Sequence, residues 1–406
     1  MGSSNSNEVV IGPSNSMPTG ALSGVRIAID ARCLAHPGMG IHTYFSAAVQ
    51  LLLAEGGDVT LLANFDIEEF VGDFPGAHWE AFGSRRDIIW DQFSVPSHLR
   101  QRSYHYYWAP ANNGIPWRSI GSTRSICTTH DLIPLRLPRM YLRGEPGFAI
   151  PYFVWTLSGV LRSDVLITVS RSSAHDIRKL FRRTSLVISS ALTLPSGTGQ
   201  VGTSLYGLRG HDYLIYTGGM DSRKNVKNLL AGFALSRAKL PNLRLVIIGN
   251  RTELIQPLID SLNLSDRVVL TGFVTDDEKV ALLEGAKAMA YPSLYEGLGL
   301  PILEAFAVGV PVLTCRNSSL FEVAGDAAIY VEPLSPTSIA EGIVEIFNEG
   351  VADRLRSLGH RRLEVHATVV ARQQLVNLFA TNPSPQVSRR RWRKQFNSNH
   401  KTPIDG

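Results

Sequence analysis

The sequence predicts an α/β protein built from two doubly wound, Rossmann-like domains facing a central cleft. Continuous apolar strands alternate with amphipathic helices along the chain, the pattern of parallel sheets covered on both faces. A length of 406 residues, 44% of them hydrophobic, is enough for two separate cores. A Gly-, Ser- and Thr-rich stretch, TLPSGTGQVGTSLYGLRG at 193–210, interrupts the alternation near its middle.

The opening MGSSNSNEVVIGPSNSMPTG lacks the basic-then-apolar order of a secretion signal and reads as a flexible leader over 1–23. GVRIAIDARCL (24–34) follows as a β-branched strand, and GIHTYFSAAVQLLLAEG (40–56) as an amphipathic helix stopped by glycines. DVTLLAN, SICTTHDLIPL and DVLITVS continue the strand series in a first domain spanning 24–195. After a linker at 196–210, a second domain over 211–365 opens on the strand DYLIYTGG and the helix NVKNLLAGFALSRAKL. LRLVIIGN, RVVLTGFV, KAMAYPS and VPVLTC read as its further strands. LIQPLIDSLNL, DDEKVALLEGA and PILEAFAVG are the helices between them.

Composition excludes several classes. Cys33, Cys127 and Cys315 lie far apart without metal-ligand spacing, which suits small core residues in a reducing compartment. The longest apolar stretch, FAIPYFVWTLSGVL (148–161), is interrupted by Pro151 and is shorter than the roughly 20 residues a membrane span needs. Beyond Gln386 there are six Lys and Arg against Asp405 alone, so this tail by itself carries the chain's net +5. The high pI therefore reports the tail (382–406), not a nucleic-acid-binding body. Its SRRRWRKQF run reads as a solvated end or as an attraction to an anionic membrane surface.

Four strand ends carry polar residues suited to a ligand. Gly38 and Gly40 stand between the first strand and its helix, where a bare backbone serves as a turn or approaches a phosphate. His130 and Asp131 follow the strand SICTT directly. Gly218 and Gly219 precede Arg223 and Lys224, adjacent cations on a flexible turn at a helix start with no acid at helical spacing, placed to meet a diphosphate. In YEGLGLPILEAFAVGVP (295–311), Gly297 and Gly299 lie in a loop before a helix begun by Pro301. Glu296 lies before the loop and Glu304 in the first helical turn, so two carboxylates flank free amides, an arrangement suited to sugar hydroxyls beside a phosphate. Glu304 equally suits a partner for the helix dipole.

GGMDSRKNVKNLL, LRLVIIGN and above all YPSLYEGLGLPILEAFAVGVPVLTC resemble the signature segments of retaining GT-B glycosyltransferases of family 4, the glycosyl transferase group 1 enzymes. RIAIDARCLAHPGMGIHTYF, WDQFSVPSHL with YWAPANNGIP, TTHDLIPLRLP and ITVSRSSAHDI resemble the N-terminal half of the mannosyltransferase-like branch that builds bacterial surface polysaccharides. The similarity runs from about Gly24 to about Phe379. One departure is VISSALTLPSGTG, where the family has an Asn-Gly turn.

The resemblance implies a GT-B fold and retaining transfer of a hexosyl group from a nucleotide-sugar to a glycan or polyprenyl-linked glycan. It implies Glu296 near the donor hexose, Glu304 on the ribose, Arg223 and Lys224 on the diphosphate, and His130 at the sugar. Gly40 would approach the phosphates from the other domain, and the amides of Gly299 and Leu300 would complete their site. A last helix, 366–381, would return to the first domain. GDP-mannose is the favoured donor, with dTDP-rhamnose and UDP-glucose also compatible. No two aspartates are separated by one residue, so no D-x-D metal motif is present and neither metal nor cofactor is expected. A cytoplasmic location, peripheral to the inner membrane face through the tail, follows. The alternative is a GT-B nucleotide-sugar-binding protein or epimerase without transfer activity.

Overall fold

The computed structural model describes residues 20–35, 40–144, 146–189, 206–366 and 368–380. Most of the expected leader and linker, the whole of the basic tail and Gly38 lie outside the described residues.

Among the described residues thirteen strands form two sheets. The first contains β1 (Arg26–Asp30), β2 (Asp58–Ala63), β3 (His78–Ala81), β4 (Tyr106–Ala109), β5 (Arg124–Thr129), β6 (Val165–Thr168) and β7 (Leu186–Val187), in the order 3-2-1-4-5-6-7. The second contains β8 (Tyr213–Thr217), β9 (Arg244–Ile248), β10 (Val268–Gly272), β11 (Ala288–Tyr291), β12 (Val312–Thr314) and β13 (Ala328–Tyr330), in the order 10-9-8-11-12-13. Every pairing is parallel. In each sheet the chain winds outward, then returns to the far side of its first strand. The order therefore reverses between β1 and β4 and between β8 and β11. Crossover connections leave to opposite faces at such a point and open a crevice at the strand C-termini.

β3, β4, β7 and β13 escape sequence reading. They are two to four residues long, and β4 (YYWA) is buried throughout, so neither alternation nor length marks it as a strand. The first strand also stops earlier than 34. The Asp30 carboxylate accepts the Arg32 amide at 3.2 Å and its guanidinium at 2.6 Å, turning the chain into a short 3-10 helix, Arg32–Ala35. Pro151 does not interrupt its segment. It sits early in a helix running from Pro146 to Arg162, where its missing N–H removes a single bond.

Leu22, within the expected leader, is fully buried, and its amide donates to Glu55 O at 3.0 Å. Apolar side chains with almost no exposed surface fill both faces of both sheets. All three cysteines are free, with Cys127 and Cys315 buried and Cys33 partly so. The helix Thr368–Ala380, which follows the second sheet in sequence, packs on the first. Phe379 meets Tyr106 edge-on at 5.2 Å, and the Arg372 guanidinium pairs with the buried Glu55.

The strand-end turns of the second sheet interlock through glycine. The Gly218 amide donates to Ile248 O and the Gly249 amide to Gly272 O, and a Cβ on Gly249 would stand 1.9 Å from the Gly218 carbonyl oxygen. Gly249→Ala is therefore expected to lower the unfolding free energy by about 2 kcal/mol, the scale of forced overpacking, read as a lower urea midpoint.

Candidate functional site

The loops after β8 and β11 bring the predicted cations and carboxylate together. Asn225 adopts φ +63°, and its side-chain amide donates to Pro292 O and Pro333 O, locking the 3-10 turn Ser222–Lys224 beside the β11 loop. The Leu294 amide donates to Arg223 O at 2.8 Å. The Glu296 carboxylate then receives Arg223 Nη1 at 2.7 Å and Lys224 Nζ at 2.9 Å, one on each oxygen. Tyr291 Oη donates to the same Oε1 at 2.9 Å and accepts from Lys224 at 2.6 Å. The turn is thus not the flexible one expected from spacing. Asp221, two residues before Arg223, pairs with it at 3.4 Å, and the shared buried acid partner of both cations arrives from 72 residues beyond Lys224, outside the reach of any local pattern.

Glu296 is 7% exposed. Burial raises its proton affinity, but Lys224 and Arg223 outweigh burial and hold the carboxyl below its ordinary range. Ser318 Oγ accepts the Glu296 amide and Ser319 Oγ donates to its carbonyl, so the backbone is fixed from the next helix, Ser318–Ala324.

Gly299, at φ +100°, ends this loop and caps the helix Leu300–Ala307 with no side chain bonded to the helix amides. Pro301 has no N–H and the Ile302 amide donates to Gly299 O at 3.0 Å, which leaves the Leu300 amide to meet an anion. Glu304 is the fifth residue of the helix and so lies in its second turn, not its first. It accepts Lys279 Nζ at 2.9 Å. Burial lowers the Lys279 pKa, but Glu304 outweighs burial and the ammonium is held above its ordinary range. Gly218 and Gly219 follow β8 ahead of the Arg-Lys turn, and Tyr216 Oη donates to Gly219 O.

The first domain meets this loop across the cleft. A Cβ on Gly40 would touch Leu300 Cδ1 at 3.4 Å, and one on Gly297 would lie 2.8 Å from His130 O. Ser173 Oγ sits 2.9 Å from His130 O and 3.4 Å from Gly297 O. Glu322 accepts the amides of Arg171 and Ser172, and Tyr295 Oη donates to Asp176. His130, Gly40, Gly297, Glu296, Arg223 and Lys224 are thus gathered at one place.

His130 Nε2 lies 2.7 Å from Pro110 O. A carbonyl only accepts, so Nε2 carries the proton and Nδ1 is the ring's acceptor. Burial holds the imidazole below its ordinary range and hence neutral. Asn112 organises the strand end, accepting the His130 amide at 2.9 Å and donating to Asp131 O and Tyr152 Oη. Burial holds the Asp131 carboxyl above its ordinary range.

A cavity of about 580 Å³ adjoins the start of helix Gly40–Ala54 and is lined by Asp30, Arg32, His42, Asn64, Arg85 and Asp87 among others. Arg32 pairs with Asp30 at 2.6 Å, Asp91 at 2.7 Å and Asp87 at 3.1 Å, and lies over the Trp90 ring. Burial, partly offset by Arg32, pushes Asp91 up to about 7. Another opening, of about 600 Å³ around Arg26, Asp58 and His78, sits at strand N-termini, the end of a parallel sheet that does not build ligand sites. Asn112, Tyr291, Lys279, Asn225 and the Arg32 cluster were absent from the sequence-derived site. Each is defined by partners distant in the chain, and only Asn225, next to the Arg-Lys pair, had a local signal.

Two parallel α/β sheets, with the polar loops of both domains meeting at strand C-termini, define a GT-B protein. The crystal structure of Anabaena Alr3699/HepE in complex with UDP and glucose superposes with a TM-score of 0.68 at 16% identity, over 88% of this chain and 100% of that one. Residues 209–361 match the family Glycosyl transferases group 1. The second domain thus carries the match to this family, and the chain as a whole has the GT-B fold. Among characterised relatives, the O-antigen chain mannosyltransferase B of Escherichia coli is 30% identical over 235 residues, covering 55% of this chain and 61% of that protein. The serotype-specific mannosyltransferase WbdA of E. coli is 29% identical over 235 residues, 53% of this chain and 27% of that protein. The chain thus spans less than two thirds of the length of each.

A neutral, half-buried His130 makes stability depend on pH. Its folded pKa is depressed, so its contribution is complete above the ordinary value of 6.5 and declines as pH falls through the folded value. His130→Gln is expected to flatten the fall in urea midpoint between pH 7 and pH 5 relative to the parent.

Proposed function

We propose that the protein is a retaining glycosyltransferase that moves a hexosyl group from a nucleotide-sugar, GDP-mannose by preference, to a glycan or lipid-linked glycan in bacterial surface polysaccharide synthesis. The second domain, 211–365, holds the donor, and the first, 24–195, the acceptor. The observation that carries this reading is the pair of cations, Arg223 and Lys224, sharing Glu296 beside the start of the helix at Leu300, in the loop that meets His130. The mannosyltransferase names of the O-antigen and serotype-specific relatives support the donor choice.

The diphosphate takes Arg223, Lys224 and the amides of Gly299 and Leu300, with the bare backbone of Gly40 opposite. Arg223 also pairs with the half-exposed Asp221 at 3.4 Å, so two carboxylates balance the two cations and an entering diphosphate displaces Asp221 from Arg223 while Glu296 stays in place. Glu304, steadied by Lys279, accepts hydrogen bonds from the ribose hydroxyls, and His130 Nδ1 accepts one from the donor sugar. The bond from the anomeric carbon to the diphosphate oxygen breaks, and the charge left on that oxygen falls among Arg223, Lys224 and the amides of Gly299 and Leu300. Glu296 lies where its negative charge steadies the oxocarbenium-like centre. The acceptor hydroxyl attacks the same face, forming the new glycosidic bond, and its proton passes to the leaving phosphate oxygen. The cavity beside Arg32, lined by Asp30, Asp87 and Asn64, suits the hydroxyls of a sugar acceptor.

Titrating the full chain with nucleoside diphosphates and nucleotide-sugars in EDTA, followed by product analysis with lipid-linked glycan acceptors, tests the proposal. Selective stabilisation by GDP and GDP-mannose, with mannose transferred in the α configuration, is expected. The absence of any thermal shift across the series would overturn it. Joint replacement Arg223→Ala, Lys224→Ala is expected to lower kcat/KM by roughly a thousandfold, about 4 kcal/mol of transition-state stabilisation. Glu296→Gln is expected to tighten GDP binding by about tenfold while lowering kcat, because the negative charge shared by both cations is removed and only Asp221 still competes for Arg223.

A further inference from the structure

Resting on the assignment of Arg223 to the diphosphate, we propose that Tyr295 is a positioning residue for the transfer: its hydroxyl, held by Asp176 of the first domain, fixes the carbonyl that orients Arg223. Arg223 Nη1 donates to Tyr295 O at 2.9 Å and lies 2.7 Å from Glu296 Oε2, so two neighbouring residues of one loop hold a single nitrogen. The Leu294 amide donates back to Arg223 O at 2.8 Å. A shift of the Tyr295 backbone therefore turns the guanidinium with it. The side chain of Tyr295 is anchored outside its own domain, where Oη donates to Asp176 Oδ2 on helix Arg171–Phe181.

Asp176 holds one residue of each domain. It is 2% exposed, and while Oδ2 takes Tyr295, Oδ1 takes Arg136 Nε at 3.3 Å. A carboxylate at this depth needs a donor on each oxygen. Arg136 ends the short helix Ile133–Arg136, whose Ile133 amide donates to Asp131 Oδ1 at 3.0 Å directly after His130. Asp176 thus ties the turn after the His130 strand to the loop that carries Glu296. Burial and the Asp176 contact push the Tyr295 hydroxyl up to about 12, so it keeps its proton and remains a donor. The same helix reaches the loop a second time. Ser173, Asp176 and Ile177 share its buried face, and Ser173 Oγ sits 2.9 Å from His130 O and 3.4 Å from Gly297 O. The loop is therefore gripped from the first domain on both sides of Glu296. Glu322 meets this helix too, through the Arg171 and Ser172 amides, but its own carbonyl goes to Arg362 and not to Arg223.

Amide hydrogen exchange of the full chain without ligand, in the parent, Tyr295→Phe, Asp176→Ala, their double variant and Glu322→Gln, tests the proposal. Tyr295→Phe is expected to speed exchange of the Leu294, Lys224 and Asn225 amides by about fivefold at an unchanged melting temperature, and the double variant is expected to match Asp176→Ala alone. Glu322→Gln is expected to speed only the Arg171 and Ser172 amides. In the transfer assay with GDP-mannose, Tyr295→Phe is expected to lower kcat about tenfold with KM for the donor within about twofold, because Lys224 and the Leu300 amide still bind the ground state. Parent-like exchange at Leu294 and Lys224 in Tyr295→Phe, equal acceleration there by Glu322→Gln, additive effects in the double variant, or a parent-like kcat would each overturn it. A parent protein that transfers no sugar overturns the function proposed for the cleft instead, and the ligand-free exchange still decides whether Tyr295 positions Arg223.

Discussion

One buried carboxylate, Glu296, joins the two loops on which the cleft is built. Arg223 and Lys224 each occupy one of its oxygens, and Tyr291 closes the third contact from the strand below. A carboxylate at this depth would shed its charge without those cations, and removing one partner of such a group typically costs about 3–5 kcal/mol. The loop after β8 and the loop after β11 are therefore mutually dependent. Neither holds its conformation by its own sequence, and Asn225, buried between them, closes the arrangement through backbone carbonyls.

The parallel order of both sheets makes that meeting possible. Strands that all run the same way deliver every following loop to one edge, so residues far apart in sequence collect there without any long-range search beyond sheet formation. The first sheet does the same for Gly40, His130 and Asp131. Contacts between the edges, Gly297 against His130 O and Glu322 against the amides of Arg171 and Ser172, use backbone and a capping carboxylate more than apolar surface. Interfaces of this polar kind permit relative motion of domains, and they let a site form between them without sealing it.

The returning helix adds a second tether. Its Phe379 lies against Tyr106 and Trp108 of the first sheet, and its Arg372 neutralises Glu55, which is otherwise fully buried. The chain thus crosses between domains twice, and the first core is completed only when the last described helix arrives. A local change at either crossing is felt in both domains, because each contributes side chains to packing that neither could finish alone.

The long, periodic elements were decided by sequence alone: the first strand and its helix, the β8–helix–β9 series and the helix after Gly299 all follow from apolar spacing, glycine stops and proline starts. The same local chemistry marked His130, Arg223, Lys224, Glu296 and Glu304 as residues that a packed core would not need. Tertiary structure alone decided the short buried strands, where two to four residues carry no period. It alone paired Arg223 and Lys224 with a carboxylate 72 residues on, placed Glu304 a turn deeper beside Lys279, and assembled Arg32 with Asp30, Asp87 and Asp91. Sequence spacing encodes periodicity along one element. An ion pair between loops depends on which strand ends become neighbours, and that is settled only when the sheets form.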